Sequence, residues 1–284
     1  MRAQLPPLAL ERIVTAALQE DLPWGDLTTE SLFPSSLQAR GEVVAKRPGI
    51  LAGVPVLEAV FRRLDPGVRV TGQCPEGAEV EPGQEVVVVE GDARALLAGE
   101  RVALNFLGRL SGIATLTRRY VQAVAGLPCR IVDTRKTTPG LRILEKYAVR
   151  VGGGANHRFG LSDGVLVKDN HLSLLRREGI SLREGLARIR SRVPHGMRIQ
   201  VEVTDLEQVE EALAAGADAL LLDNMDLQTL REAVALCGGR ALTEASGGIT
   251  LETVRAVAET GVDLISVGAL THSAPALDLS LELR

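Results

Sequence analysis

Arg135, Lys136, Arg158 and Lys168 each stand just past an apolar run or a glycine-rich turn, and together they are candidates for one anion site. Arginine offers a two-pronged fork that matches carboxylate, while lysine supplies a compact point charge suited to phosphate. Arg135 and Lys136 lie in Asp133-Thr134-Arg135-Lys136-Thr137-Thr138-Pro139-Gly140, so Thr134 and two further threonine hydroxyls flank the charges. The plainer alternative is surface pairing of these cations with Asp133 and Glu145. Gly152-Gly153-Gly154-Ala155-Asn156-His157-Arg158 adds glycines that permit close backbone approach and sets His157 beside Arg158. A glycine turn capping a helix explains the glycines equally well, but not the basic pair that follows. Lys168 closes GVLV and precedes Asp169-Asn170-His171, so it can serve as an anion ligand, a Schiff-base former or the partner of Asp169.

The count of cations favours the anion ligand. Four positive groups at one mouth repel one another unless a multiply negative ligand, or acids in the same pocket, balance them. Glu202, one residue before the end of RIQVEV, and Asp223, which ends ALLLD, can supply that balance. Their better use is to hold ribose hydroxyls or Mg²⁺, since hard oxygen ligands suit that ion and phosphates often complete its shell. For each acid, a salt bridge to a neighbouring lysine or arginine is the plainer alternative. Glu244-Ala245-Ser246-Gly247-Gly248-Ile249-Thr250 and Ser266-Val267-Gly268-Ala269 then place glycines between late apolar runs and helical patterns. Exposed backbone N–H groups at such a junction, with the helix dipole behind them, suit a phosphate group.

Lysine is scarce: only Lys46, Lys136, Lys146 and Lys168 occur, and histidine and asparagine number four each. Eight of these twelve residues (Lys136, Asn156, His157, Lys168, Asn170, His171, Asn224 and His272) fall in the polar segments above or in the motif that holds His272. A chain that places arginine on its solvated surface keeps lysine where a compact ammonium matters.

The elements that must position these groups repeat. CRIVD (129–133), GVLVK (164–168), RIQVEV (198–203), ALLLD (219–223), ALTEAS (241–246) and DLISVG (263–268) read as buried parallel strands. Helical patterns lie between the later ones, with Leu206, Val209 and Leu213, then Leu227, Leu230 and Val234, then Leu251, Val254 and Val257 on their apolar faces. Thr204 or Asp205, Asp226 and Thr250 are the expected caps, and Gly216, Gly238 and Gly261 stand near the ends. Alternating β/α units of this length close into a barrel whose strand C-termini converge on one mouth. A doubly wound open sheet competes, but each run has a polar residue or glycine at or one before its end, which favours the barrel.

The N-terminal third differs. A first helix and a turn-rich DLPWGDLTTE precede strand-like ARGEVVAKRPGILAG, GVRVTG and AEVEPGQEVVVVEG, with a helical pattern near 55–64. The expectation is an α/β fold: a mixed α/β sandwich over 1–110, then a β/α-barrel catalytic domain over 111–273, with 274–284 returning as a strand to the first. A long helix over about 92–125 bridges the two. EGAEVEPGQEVVVVEG is similar to lipoyl and biotinyl carrier domains, yet positions 69–100 hold no lysine to carry such a cofactor.

Composition excludes other classes. A net charge of −4 leaves no footprint for nucleic acid. No apolar run approaches the roughly 18 residues of a membrane span, and the opening residues lack a secretory h-region. Three widely spaced cysteines suit neither a disulfide framework nor a zinc site, so the reducing cytoplasm is expected.

ERVALNFLGRLSGIAT, DTRKTTPGLR, HRFGLSDGVLVKDNH, VEV, LLDN, EASGGI and SVGALTHS resemble, in order from about residue 100 to 273, the motifs of the quinolinate phosphoribosyltransferases. PWGDLTT matches them more loosely. The resemblance implies an open seven-stranded barrel, a homodimer or dimer-based hexamer, and Mg²⁺. It implies the reaction of quinolinate with phosphoribosyl pyrophosphate to give nicotinate mononucleotide, pyrophosphate and CO₂. It further implies that Arg135, Arg158, His157 and a partner subunit's copy of Arg101 hold quinolinate. Lys136 and Lys168 would face the pyrophosphate, Glu202 and Asp223 the ribose and, in part, the metal. Thr134, Ser246, Gly247, Gly248, Gly268 and His272 would hold the rest of phosphoribosyl pyrophosphate. A related nicotinate-type phosphoribosyltransferase, a Schiff-base aldolase using Lys168 and a non-catalytic phosphate-binding module are the competing readings.

Overall fold

The computed structural model describes residues 5–33 and 35–284, so the opening MRAQ and Pro34 lie outside the described residues. In chain order the elements begin with α1 (Pro7–Asp21), α2 (Leu27–Leu32), β1 (Gln38–Ala45), β2 (Gly49–Ile50), α3 (Val54–Leu64), β3 (Arg69–Gly72), β4 (Glu79–Val80), β5 (Glu85–Asp92) and α4 (Ala93–Ala123). They continue with β6 (Arg130–Val132), α5 (Arg142–Val151), β7 (Val165–Val167), α6 (Asp169–Arg177), α7 (Leu182–Arg190), β8 (Ile199–Val203), α8 (Leu206–Ala214) and β9 (Ala219–Asp223). The last are α9 (Leu227–Cys237), β10 (Leu242–Ser246), α10 (Val254–Ala258), β11 (Leu264–Ser266), α11 (Ala269–His272) and β12 (Leu279–Leu283). No helix among the described residues is long and apolar enough to cross a membrane.

Two compact units result. Among the described residues, one comprises 5–33, 35–118, 136–153 and 269–284, the other 119–135 and 154–268. In the first, an antiparallel sheet runs in the order β12-β1-β5-β3, and β2 pairs with β4. A run of β-branched residues makes the centre of this sheet: β5 buries Val86, Val87, Val88 and Val89 in succession, so both of its faces are covered, and β1 sets Val43 against Val87. The tail pairs with β1 from Gly41↔Leu283 to Ala45↔Leu279. Glu76 caps α3 by accepting from the N–H groups of Gly53 and Val54, at 2.9 and 2.7 Å. On α4, a Cβ at Gly112 would lie 1.9 Å from the Pro275 carbonyl oxygen, so only glycine lets the tail pass this close. Glu145, buried on α5, binds Arg109 at 2.9 Å and accepts from the Thr138 N–H and hydroxyl. It thereby serves the interior and not the surface pairing with Arg135 or Lys136 that the sequence also allowed.

The second unit is the expected open β/α barrel. Its six parallel strands run in the order β6-β11-β10-β9-β8-β7, and each falls inside one of the six apolar runs. The seventh position implied by the family resemblance is a single parallel bridge, Val132↔Ala155, on the free side of β6. The glycines before Ala155 bring no side chains to pack as a strand, and Gly153, at φ +97°, turns the chain. At the strand starts, Asp218 accepts from the Ile199 N–H and Asp263 from the Thr243 N–H and hydroxyl, which ties neighbouring strands together.

Asp205 and Asp226 cap α8 and α9 by accepting from the Gln208 and Thr229 N–H groups. Thr250 does not cap. A turn over 251–253 delays α10 to Val254, and the Thr253 hydroxyl instead accepts from the Thr250 N–H. The apolar faces also shift slightly: Leu227 opens α9 and is exposed, while Leu230, Ala233 and Cys237 are buried.

Candidate active site

Twist and alternation put polar side chains where the barrel strands end. Glu202 of β8 lies level with Leu221 of β9, and Leu221 with Glu244 of β10, so both glutamates share the inner face. Gln200, two residues before Glu202, shares it too. Glu202 and Glu244 are both buried, and a buried carboxylate persists as an ion only with close partners.

For Glu202 the partner is Lys168. Its Nζ sits 2.7 Å from Oε2, with the lysine side chain about half exposed at the strand end. This is the salt bridge that the sequence allowed as the plainer alternative for Glu202. The carboxylate fixes where the ammonium stands, and about half of the lysine side chain remains exposed. The backbone here is fixed by His171, whose Nδ1 accepts from the Lys168 N–H at 2.9 Å.

For Glu244 the partners are Gln200, whose Nε2 donates to Oε2 at 2.8 Å, and His157, whose Nε2 lies 3.4 Å from the same oxygen. Burial works to raise the Glu244 pKa. The polar contacts that His157 and Gln200 make at Oε2 outweigh it, and the carboxyl is held below its ordinary range.

The segment 156–158 is fastened as well. Buried Asp133 accepts from Asn156 Nδ2 at 2.6 Å and from the His157 N–H at 2.9 Å. Arg158 donates through Nη1 to the Gly164 carbonyl at 2.7 Å. Burial lowers the Arg158 pKa, and the positive charge of Arg135 nearby lowers it further. Two guanidiniums whose charges act on one another in a partly buried place could receive a dianion.

At β9 and β10 the strand ends interlock. Asn224 adopts φ +55°, donates its N–H to the Ser246 carbonyl at 2.9 Å and its side-chain amide to Asp223 at 2.7 Å. Gly247 follows at φ +99°, and a Cβ there would lie 2.2 Å from Asn224 Oδ1, so no other residue fits. Gly248, at φ +58°, is exposed. Ser246, Gly247 and Gly248 thus form a tight turn that follows β10 beside Asn224 and Asp223.

The barrel unit therefore contains Thr134, Arg135, His157, Arg158, Lys168, Glu202, Asp223, Ser246, Gly247, Gly248 and Gly268. Lys136, Arg101 and His272 belong to the other unit. There, the Lys136 carbonyl accepts from the Thr271 hydroxyl at 2.7 Å, His272 Nδ1 lies 2.6 Å from the Ser273 hydroxyl, and the Arg101 side chain is 66 % exposed on α4. Sequence reasoning missed Gln200, Glu244, His171 and Asn224 as parts of the site. A signal existed for the first two: Gln200, Glu202 and Glu244 are polar residues inside strands buried on both faces, which points inward to a functional interior.

Two family models together match nearly the whole chain: the N-terminal domain of quinolinate phosphoribosyl transferase over residues 26–111 and its C-terminal domain over 113–282. The chain belongs to the quinolinate phosphoribosyl transferase family. It is 45% identical over 276 residues to the probable carboxylating nicotinate-nucleotide pyrophosphorylase of Bacillus subtilis, covering 97% of this chain and 94% of that one. It is 44% identical over 278 residues to the carboxylating nicotinate-nucleotide pyrophosphorylase of Mycobacterium leprae, covering 95% of each. Among solved structures, NadC from Streptococcus pyogenes superimposes with a TM-score of 0.93 at 42% identity, over 99% of this chain and 98% of that one. The C-terminal model of the quinolinate phosphoribosyl transferase family spans every barrel strand described above.

Proposed function

We propose that this chain transfers phosphoribosyl from phosphoribosyl pyrophosphate to quinolinate, releasing pyrophosphate and CO₂ and leaving nicotinate mononucleotide. The observation that carries this reading is that Arg135, Arg158 and the Lys168–Glu202 pair stand in one barrel unit, with the charge of Arg135 felt at the partly buried Arg158. Two forks suit the two carboxylates of quinolinate, and a lysine fixed by a carboxylate suits a phosphate. Likeness over nearly the full length to carboxylating pyrophosphorylases supports the same substrates. The catalytic unit in this reading spans 111–273.

In the reaction the pyridine nitrogen attacks C1 of the ribose, and the C1–oxygen bond breaks with its electron pair leaving on pyrophosphate. Lys168 and Lys136 face that growing charge, and preorganised cations lower the barrier where charge develops. Glu202 and Asp223 accept from the ribose hydroxyls. Ser246, Gly247, Gly248 and Gly268 present N–H groups to the 5′-phosphate, with Thr134 and His272 as further contacts. The substituted ring is cationic, so the C–CO₂ bond breaks with its electrons stabilised by the ring nitrogen, and a proton then fills the carbon. No protein nucleophile is needed, which sets this reading apart from an aldolase using Lys168.

Mg²⁺ belongs to this reading. Among the described residues no group of three or more His, Cys, Asp or Glu could hold an ion. Glu202 and Asp223, at adjacent strand ends, fit an ion that uses one or two carboxylates and takes its other ligands from phosphates. When bound, the ion neutralises pyrophosphate charge. The reading also places the enzyme in the cytoplasm, working as a homodimer or a dimer-based hexamer, with neither nucleic acid nor membrane as partner.

The deciding assay is CO₂ release from quinolinate that requires both phosphoribosyl pyrophosphate and Mg²⁺. A protein that turns over nicotinate but releases no CO₂ from quinolinate is the nicotinate-type relative instead. Ser246→Ala weakens phosphoribosyl pyrophosphate binding about tenfold, the worth of one hydrogen bond to a charged group. Titration calorimetry showing unaltered affinity would remove Ser246 from the cradle.

Arg101 acts in trans in this reading, and mixing tests it. In dimers of inactive Arg101→Ala with inactive Lys136→Ala, one site carries both defects and the other neither. Random exchange makes about half the dimers mixed, so about a quarter of wild-type activity returns. Exchange without recovery would put Arg101 outside its partner's site.

A further inference from the structure

His157 has a partner for each ring nitrogen. Nδ1 lies 2.7 Å from the backbone nitrogen of Arg158 and accepts its N–H, so Nδ1 carries no proton of its own. The ring proton therefore sits on Nε2, which faces Gln200 Oε1 at 3.1 Å and Glu244 Oε2 at 3.4 Å. Gln200 cannot turn its amide over, because its Nε2 donates to Glu244 Oε2 at 2.8 Å and its Oε1 is thereby left to face the imidazole. Glu244 is 1% exposed and lies on the inner face of β10, far below the level that a solvent contact would need. The chain of contacts runs from a buried carboxylate through an oriented amide to one imidazole tautomer, and from there to the backbone of Arg158.

We propose that Glu244, acting with Gln200, is a positioning residue that holds His157 as the neutral Nε2–H imidazole and so seats Arg158 for the acid substrate. A carboxylate behind the imidazole selects which nitrogen keeps the proton, as it does for histidines in metal and hydrolase sites. His157 then braces Arg158 from within, while Asp133 secures the same turn through the His157 N–H and Asn156. The guanidinium fork gains its aim from a turn fixed on both sides. The assignment of Arg158 to a quinolinate carboxylate rests on the proposed function; the tautomer of His157 does not.

The test has two arms. Long-range proton–nitrogen correlation NMR on the full-length protein labelled at its four histidines reports the protonation of each ring nitrogen, with His157→Gln as the assignment control. A bare Nδ1 and a protonated Nε2 at neutral pH are expected in the wild type, and a protonated Nδ1 overturns the proposal. This arm needs no substrate, so its outcome stands even if quinolinate is not turned over, a result that would sink the functional reading alone. In the second arm, Glu244→Gln keeps the shape but loses the charge. It is expected to raise the KM for quinolinate about tenfold, leave the KM for phosphoribosyl pyrophosphate within twofold and keep kcat within about threefold, as loss of uniform ground-state and transition-state binding requires. Equal rises in both KM values, or no rise in either, overturn the positioning role. Should Glu244→Gln fail to fold, Gln200→Met, which removes the oriented amide and adds no charge, is expected to give the same split between the two KM values.

Discussion

Arg158→Ala loses roughly 2–5 kcal/mol of kcat/KM for quinolinate, a factor between about thirty and several thousand, while the KM for phosphoribosyl pyrophosphate stays near that of the wild type. The size follows from the setting: the guanidinium is partly buried beside Arg135, so a carboxylate that enters meets two forks in a poorly hydrated place. Arg135→Ala shows the same pattern. Lysine does not rescue position 158, because a point charge cannot reproduce the fork and loses the hydrogen bond that Arg158 Nη1 gives to the Gly164 carbonyl. Steady-state kinetics with each substrate varied in turn check this, and unchanged quinolinate kinetics in both variants would take these residues out of the acid pocket.

Lys168→Ala has two separable consequences. Loss of one preorganised cation at the leaving group lowers kcat by roughly 10²–10³. It also strands the buried Glu202, whose Oε2 lies 2.7 Å from Lys168 Nζ, and because the lysine end of the pair is half exposed the loss costs about 1–3 kcal/mol of stability. Pairing Lys168→Met with Glu202→Gln removes both charges, so the double variant regains most of the melting temperature but none of the activity. Single-turnover kinetics and thermal unfolding separate the two effects. A double variant as unstable as Lys168→Ala would show that the pair is not what holds this strand end.

Much of the barrel was legible because parallel strands buried on both faces are written as unbroken apolar runs, and each of the six runs holds one strand. Asp205 and Asp226 were legible for a local reason, since an acid that accepts from the N–H three residues on needs no distant partner. Thr250 had the same look, yet the chain spends residues 251–253 on a turn, a choice made by packing and not by the cap. The cations of the site could be read because they stop the runs. Their supports could not. That Gln200 reaches Glu244, that Glu244 reaches His157 and that Asp133 holds the next turn are contacts across 44, 87 and 24 positions of sequence, made only when the strands stand side by side. Glu145 was misleading for the same reason: near Lys136 in sequence, it is spent on Arg109 in the fold.

The two sheets share a feature with consequences for how the protein is made. β6, the first barrel strand to leave the ribosome, has β11 as its strand neighbour, and β1 has β12 on its outer side. Both sheets therefore wait for the same late stretch, residues 264–283, before an early strand gains its companion. Contacts so distant along the chain slow folding, and strand edges left open in the interval are where nascent chains aggregate. Ribosome-bound chains halted ahead of residue 264 would accordingly hold β6 without β11 and β1 with one bare flank, the state in which a holdase chaperone has most to bind.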